Sequence, residues 1–244
     1  MAEFFTQLWQ NFLNSGIVRQ FYRNVIQDDR YMLYLEGLKN TLLLTFGAAV
    51  IGVVIGTLVG MCKVAARNNK LLRPLEILCD IYLTVIRGTP AMVQVMIFGL
   101  VIFRFVSMDR MLLVATLALG INSGAYVAEI IRAGVQAVDI GQTEAGRSLG
   151  LTGGMTMRFI VLPQAIKNIL PALANEAIML LKETAIVSVL AVRDLTYSST
   201  LVRSRTYDTM PLIVITVMYL GMVMLMTFGL RKLEGRLAKS DKRD

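Results

Sequence analysis

The sequence predicts an all-α membrane protein of five transmembrane helices with one short helix on the cytoplasmic side. Three observations carry this expectation. Of 244 residues, 55% are hydrophobic and 17% charged, where a soluble domain carries about 25% charged residues. The apolar residues gather in long runs, and a helix needs about 20 of them to cross the hydrocarbon layer. The 25 Lys and Arg, against 17 Asp and Glu, largely avoid those runs. The net charge of +8 therefore belongs to the connections, where it sets orientation, and nucleic acid is not needed to explain it.

Residues 1–37 have mixed charge and scattered aromatics, Phe4, Phe5, Trp9, Phe12, Phe21 and Tyr22. They read as an extracytoplasmic or interfacial segment: an amphipathic helix on the outer leaflet with its aromatics at the interface, or a contact surface for an external partner. Without a basic start or an apolar stretch of about 7–15 residues, the segment does not read as a cleaved signal peptide.

A transmembrane domain is expected over residues 38–232, followed by a cytoplasmic basic tail at 233–244. The first span covers about residues 40–62 and carries Gly52, Gly56 and Gly60 at every fourth position, with Ala48 one step earlier. Such a stripe lets another helix approach closely, from this chain or from another subunit. The second span covers about residues 75–105 and is broken by Arg87-Gly88-Thr89-Pro90; the third covers about 111–131. The fourth covers about 159–192 with Pro163 and Pro171 inside, and the fifth about 210–230, stopping at Arg231-Lys232.

Orientation follows from the basic residues of the short connections. Residues 63–73 carry Lys63, Arg67, Lys70 and Arg73 and no acid. The tail carries Arg231, Lys232, Arg236, Lys239, Lys242 and Arg243 against Glu234, Asp241 and Asp244. Both belong in the cytoplasm. Five spans then put the N-terminus outside, residues 133–158 inside and residues 191–209 outside, although Arg193, Arg203 and Arg205 run against the rule locally.

Composition also removes whole classes of chemistry. With no histidine, imidazole acid–base catalysis and His-ligated metals are excluded. Cys62 and Cys79 have neither the spacing of a zinc site nor that of a disulfide framework, and each reads as a buried thiol. No GxxxxGK[ST] occurs, so the chain is not its own P-loop ATPase. No catalytic residue and no metal ligand set is expected.

The connection after the third span is the most informative stretch. It reads Gln142-Thr143-Glu144-Ala145-Gly146-Arg147-Ser148-Leu149-Gly150, and then Ile160-Val161-Leu162-Pro163. Thr143 or Gln142 can start a short helix carrying Glu144, Ala145 and Leu149, which Gly150 ends in a left-handed conformation. Gly153-Gly154 then frees the backbone to turn before the next span. A short helix with small residues on one face suits insertion into a groove of a partner.

These residues resemble the cytoplasmic signature of the integral membrane subunits of binding-protein-dependent ABC importers. That signature is Glu-Ala-Ala, three residues, Gly, nine residues, Ile, one residue, Leu-Pro. Glu144-Ala145-Gly146, Gly150, Ile160, Leu162 and Pro163 match it, with Gly146 as the one departure, in place of the second alanine. Lys39-Asn40-Thr41-Leu42, Arg87-Gly88-Thr89-Pro90, the run from Asn122-Ser123-Gly124-Ala125-Tyr126 through Glu129-Ile130-Ile131-Arg132 to Gly134, and Leu181-Lys182-Glu183-Thr184 are similar to the polar amino acid branch, which moves histidine, arginine, glutamine, glutamate and related compounds.

The resemblance implies a type I importer permease architecture in a bacterial plasma membrane. It makes Gln142, Thr143, Glu144, Ala145, Gly146, Ser148, Leu149, Gly150 and Gly153 a coupling helix that seats in a separate ATPase subunit. ATP and Mg would be bound there, with no cofactor on this chain. The other implied partners are a second permease copy or a homologous permease, an extracytoplasmic amino-acid-binding protein, an amino acid substrate and the lipid bilayer.

Several residues are candidates for the substrate pathway. An arginine inside an apolar run costs about 2.5–3.5 kcal/mol on insertion scales and usually faces a cavity. Arg87 is such a residue, and Gly88, Thr89 and Pro90 break the helix beside it, freeing amides for an anionic group such as an α-carboxylate. Alternatively Arg87 pairs with Glu129, Glu176 or Glu183, or caps the broken turn. Gln94 shares its face only if the helix is regular through Pro90. Asn122, Ser123 and Tyr126 either line the pathway or hydrogen-bond across helices. Glu129, Arg132 and Pro163 read as gating or structural. Glu183 either meets a substrate amino group or forms a structural pair. Tyr197, Arg203, Arg205 and Tyr207 form a landing surface for the binding protein or a solvated loop. An ion-coupled secondary amino acid transporter, with Arg87 and Glu129 in a relay, is the alternative function; the absence of an internal repeat and the docking signature speak against it.

Overall fold

In the computed structural model, which describes residues 16–66 and 70–241, every regular element among the described residues is helical. Phe4, Phe5, Trp9, Phe12, Arg67, Lys242 and Arg243, and the side chains of Lys70 and Lys239, lie outside the described part.

Helix α1 (Gly16–Phe21) runs through a wide turn at Tyr22–Ile26 into α2 (Tyr31–Ala66). The α1 segment is pinned to another part of the chain: Arg23 donates to the carbonyl of Thr206, and the buried Asn24 amide donates to the Asp208 carboxylate at 2.8 Å. Ile17, Phe21, Tyr22 and Ile26 stay exposed. Helix α2 begins well before the expected residue 40, because Tyr34 is buried in an apolar cluster with Leu195, Val202 and Ile215. Its 36 residues reach about 54 Å, beyond a hydrocarbon layer of about 30 Å.

Helix α3 (Arg73–Gly88) and helix α4 (Ala91–Met96), which continues as a π-turn to Ile102, meet at a bend of 105°. The break falls at Thr89-Pro90, as expected, since proline disfavours helix in the residue before it. Helix α5 (Met111–Gln136) is central and mostly buried. It lies along α2 with the glycine stripe between them: a Cβ on Gly52, Gly56 or Gly60 would meet Ser123, Val127 or Ile131, and one on Gly120 would meet Ile51. The stripe is therefore filled from within the chain and is not free for a second subunit.

Helices α6 (Ile140–Ser148) and α7 (Gly153–Thr156) connect through a π-turn at Met157–Val161 to α8 (Leu162–Glu183). A 3-10 turn at Thr184–Leu190 follows, then α9 (Leu195–Thr206) and α10 (Met210–Asp241). The expected outer loop thus contains a helix. Asp194 caps it, and Leu195, Ser198, Ser199 and Val202 are buried beneath it.

Among the described residues, three helices are long and apolar enough to cross a membrane: α2, α5 with its preceding turn, and α10; the bent α3–α4 pair passes the same test as one broken span. Helix α8 has 22 residues but carries Gln164, Lys167, Asn168, Asn175, Glu176, Lys182 and Glu183. Its apolar side packs on α5, with Leu180 joining Leu44, Ala48, Val95, Ala115 and Leu119 in the main core. Helix α10 shows the opposite pattern, exposing Leu212, Ile213, Val217, Leu220, Met224, Leu225 and Phe228, an outward face suited to hydrocarbon.

Candidate functional site

Two constellations stand out, one at the α6 turn and one at the break between α3 and α4. Helix α6 is capped by Asp139, whose carboxylate accepts from Gly141 N at 2.6 Å. The expected start at Gln142 or Thr143 is therefore corrected to Ile140; an Asp ahead of the helical run was the available signal. Gly150 has φ +82°, the expected left-handed end. Its N–H bonds to Arg147 O at 3.0 Å, and that of Leu151 bonds to Gly146 O at 3.2 Å, the paired closure of a Schellman motif. The turn toward the next helix lies here, and Thr152 caps α7 by accepting from Met155 N. Gly153 and Gly154 open that helix and do not supply the expected bend.

Gly146 is buried, and a Cβ on it would stand 2.8 Å from Thr156 Cγ2 and from Ile160 Cδ1. This close approach is a physical reason for glycine where the signature has alanine. Gln164 Nε2 donates to Gln142 Oε1 at 3.1 Å, tying α6 to α8 near Pro163, which lies in the first turn of α8. The hydroxyl of Ser148 donates to Glu144 O at 2.9 Å. The free side of α6 presents Thr143, Glu144, Ala145 and Leu149 together with Ile140, a residue not singled out in the sequence; Ile140 is 74% exposed and Leu149 80%.

At the α3–α4 break, Gln94 is the hub. Its Nε2 donates to Ile86 O at 2.7 Å and to Thr89 Oγ1 at 2.7 Å, and its Oε1 accepts from Asn122 Nδ2 at 2.9 Å. Gln94 and Asn122 are buried. Ser123 is also buried and donates to Glu176 at 2.9 Å. Tyr82 donates to Ile121 O at 2.6 Å, a further stitch between α3 and α5. These polar groups bind helix to helix.

Beside the hub lies a partly exposed charged cluster. The Arg87 guanidinium stands 5.7 Å from the ring centroid of Tyr126 and 3.9 Å from Glu129. Glu129 is held closely by Arg132, which also donates to Gln136 at 2.6 Å. The structure thus brings Arg87, Tyr126, Glu129 and Arg132 together and groups Thr89, Gln94 and Asn122 separately. Glu183 is half-buried on α8, its charge interacting with Glu176 and Lys182. Asn168, Asn175 and Lys182 recur every seventh residue on α8 and are all exposed, a polar lane not singled out in the sequence; its signal was the heptad spacing itself. Among the described residues, no group of three or more His, Cys, Asp or Glu is gathered as a metal ligand set.

The family described as binding-protein-dependent transport system inner membrane component matches residues 52–239, which include both constellations. The chain belongs to this family. The permease is 40% identical over 210 residues to the arginine transport system permease protein ArtQ of Bacillus subtilis (strain 168), covering 85% of this chain and 93% of that protein. It is 38% identical over 213 residues to the putative glutamine transport system permease protein GlnP of Rickettsia bellii (strain RML369-C), covering 86% and 95%. A crystal structure of an amino acid ABC transporter with histidines superposes with TM-score 0.78 at 44% identity, covering 84% of this chain and 94% of that one. The MetNI methionine ABC transporter in inward-facing form shares the fold, with TM-score 0.70 at 19% identity. The permease is accordingly an all-α, multi-pass protein of the bacterial inner membrane, a subunit of a binding-protein-dependent ABC importer.

At the α9 end the permease carries a cavity of about 560 Å³ lined by Glu36, Asn40, Asp109, Arg193 and Tyr197. Arg193 pairs with Glu36 at 3.4 Å, and Asn40 donates to Arg193 O at 2.8 Å. Arg203 and Arg205 in the last turn of α9, and Tyr207 just after it, are exposed. At the N-terminus of α9 Asp194 is fully buried and accepts from the N–H groups of Thr196 and Tyr197 at 3.1 and 2.8 Å. Burial pushes its carboxyl up to about 6.

Proposed function

We propose that the permease forms, with a second copy or a homologous permease, the pathway for ATP-driven uptake of a polar amino acid. The relatives named for arginine and glutamine transport support that substrate class. The observation that carries the reading is the α6 turn: a short helix, rigidly closed at both ends and locked by Gly146 and Gln142, whose free face holds Glu144, Ala145 and two exposed aliphatic side chains. That surface, two aliphatic side chains beside one carboxylate, is small enough to seat in a groove, and its rigid attachment lets a push on α6 reach α8. A separate ATPase subunit would bind ATP and Mg and supply the push; this chain contributes the lever at residues 142–154 and no catalytic group.

In this reading Arg87, Thr89 and Tyr126 are the pathway groups at the break, with Glu183 further along α8. Gln94, Asn122 and Ser123 hold the helices around them, and Glu129 with Arg132 gates or braces the cluster. The exposed lane of Asn168, Asn175 and Lys182 supports a water-lined seam facing the second copy, since such groups are costly against lipid. The N-terminus is outside and the basic tail inside, so the α9 end, with Tyr197, Arg203, Arg205 and Tyr207, receives the amino-acid-binding protein. The test is uptake of a panel of amino acids by vesicles containing the permease, its ATPase and its binding protein. Uptake strictly dependent on internal ATP and on the ATPase supports the reading, and uptake that persists without the ATPase refutes it.

A further inference from the structure

Gln94 is one heptad from Arg87 in sequence, yet the 105° bend removes any helical register between them. What relates them is a set of hydrogen bonds across the break, joined by one long-range bond to α5. At the end of α3 the last carbonyls lose their helical partners. Gln94 reaches back across the break and satisfies two of these residues, bonding Ile86 O at 2.7 Å and Thr89 at both its hydroxyl, 2.7 Å, and its carbonyl, 3.1 Å. The Thr89 hydroxyl in turn donates to Val85 O at 2.8 Å. The other face of the carboxamide is taken by Asn122 Nδ2 at 2.9 Å. Arg87 lies between the two carbonyl-bearing residues that Gln94 grips, and Tyr126, under its guanidinium, lies one turn beyond Asn122 on α5. A Cβ added at Gly88, next to Arg87, would meet nothing within 4 Å.

We propose that Gln94 is a positioning residue for Arg87: its carboxamide, clamped between the end of α3 and Asn122, sets the bend that holds the Arg87 guanidinium over Tyr126 and beside Glu129. It does so without touching substrate, since its amide is buried and its donors and acceptor are engaged. The inference rests on the reading of Arg87 as a pathway group, and its consequences fall into two separable measurements.

The first measurement needs no substrate. In the assembled permease–ATPase complex with Cys62 and Cys79 replaced by alanine, Arg87→Cys is labelled with a water-soluble maleimide, with and without Gln94→Met. Loss of the clamp changes the labelling rate by at least about threefold, as a group released from a fixed bend samples new exposure; equal rates overturn the proposal. Asn122→Ala, which deletes only the donor to Gln94 Oε1 and leaves the α3 carbonyls served, shifts the rate in the same direction by less, and keeps the test decisive if Gln94→Met fails to assemble.

The second measurement is binding of L-arginine, L-glutamine and L-histidine to the detergent-purified complex without binding protein. Gln94→Met weakens the best-bound of these by roughly fivefold, about the effect of one lost hydrogen bond, when Arg87 is present. In an Arg87→Ala background the same change has no further effect, because the group being positioned is gone. A weakening of equal size in both backgrounds overturns the proposal, since it marks a general structural role. If Arg87→Ala alone leaves binding unchanged while the labelling rates differ, Gln94 still positions Arg87 and the pathway role of Arg87 is the reading that fails.

Discussion

Gly56 of α2 and Val127 of α5 meet so closely that a Cβ on Gly56 would stand 2.5 Å from Val127 Cβ and Cγ1, and 2.8 Å from the carbonyl oxygen of Gly124. The obstacle includes backbone, so it cannot swing aside. Replacing glycine by alanine within a helix gains about 0.5–1 kcal/mol, whereas overpacking a filled interface costs about 1–3 kcal/mol. Gly56→Ala is therefore expected to lower stability by about 1–2 kcal/mol. Gly221→Ala on α10, where nothing lies within 4 Å, is expected to be neutral or slightly stabilising. Thermal unfolding of the purified complex separates the two, and equal midpoints would contradict the packing argument.

Substitutions at the α6 turn are expected to separate folding from coupling. Gly150 sits at φ +82°, where an L side chain costs about 1–2 kcal/mol, so Gly150→Ala loosens the end of the helix. Leu149→Ser touches only an exposed side chain and leaves the unfolding midpoint within about 0.5 kcal/mol. Both are expected to reduce transport-coupled ATP hydrolysis at least tenfold, as is Glu144→Lys. Normal hydrolysis stimulated by loaded binding protein in Leu149→Ser would remove the docking role from this face.

Arg87 and Arg132 share Glu129 unequally. The Arg87 contact is 3.9 Å between partly exposed groups, while Arg132 grips the same carboxylate with two nitrogens. Exposed ion pairs contribute about 0–1 kcal/mol, so Arg87→Ala leaves stability nearly unchanged while uptake falls. Arg132→Ala is expected to lower both, since it removes the bidentate partner and the bond to Gln136. The comparison is read from unfolding midpoints and initial uptake rates on the same preparations; a large stability loss in Arg87→Ala would make that residue a structural strut.

Asp194 makes stability depend on pH. Its carboxyl titrates at about 6 in the folded chain, above an ordinary aspartate at about 4. Between those values the folded chain holds a proton that the unfolded chain has released. This contribution is therefore greatest below about pH 4, declines as pH rises through the window and is flat above about pH 6. Asp194→Asn keeps a side-chain oxygen to cap α9 and has no proton to lose. The difference in unfolding midpoint between wild type and Asp194→Asn should accordingly move against wild type from pH 4 to pH 6; a constant difference would rule the effect out.

Much of the α6 site was legible in the sequence because it rests on local backbone preferences. The left-handed end at Gly150 and the exposed side chains of Glu144, Ala145 and Leu149 lie within one short stretch. The start of the helix was misplaced because Asp139 stands outside the motif, and the reason for Gly146 was invisible because its neighbours, Thr156 and Ile160, come from the next helix. The polar groups at the break were less legible. Gln94, Asn122 and Ser123 were candidates for the pathway by residue type, but long-range partners decide their environment. Such partners leave Arg87 and Tyr126 exposed and bury the other three.

By itself the sequence determined the all-α membrane class, the apolar stretches and the break at Thr89-Pro90. Transfer of apolar side chains and the conformational limits of proline and glycine act over a few residues, and a single stretch of chain states them. Only the tertiary structure decided that the glycine stripe of α2 is filled by α5, that α2 extends back to Tyr31 over Leu195 and Val202, and that Gln94 clamps the break. Those outcomes depend on which helix faces which. Close packing and buried hydrogen bonds supply that choice once distant segments have met.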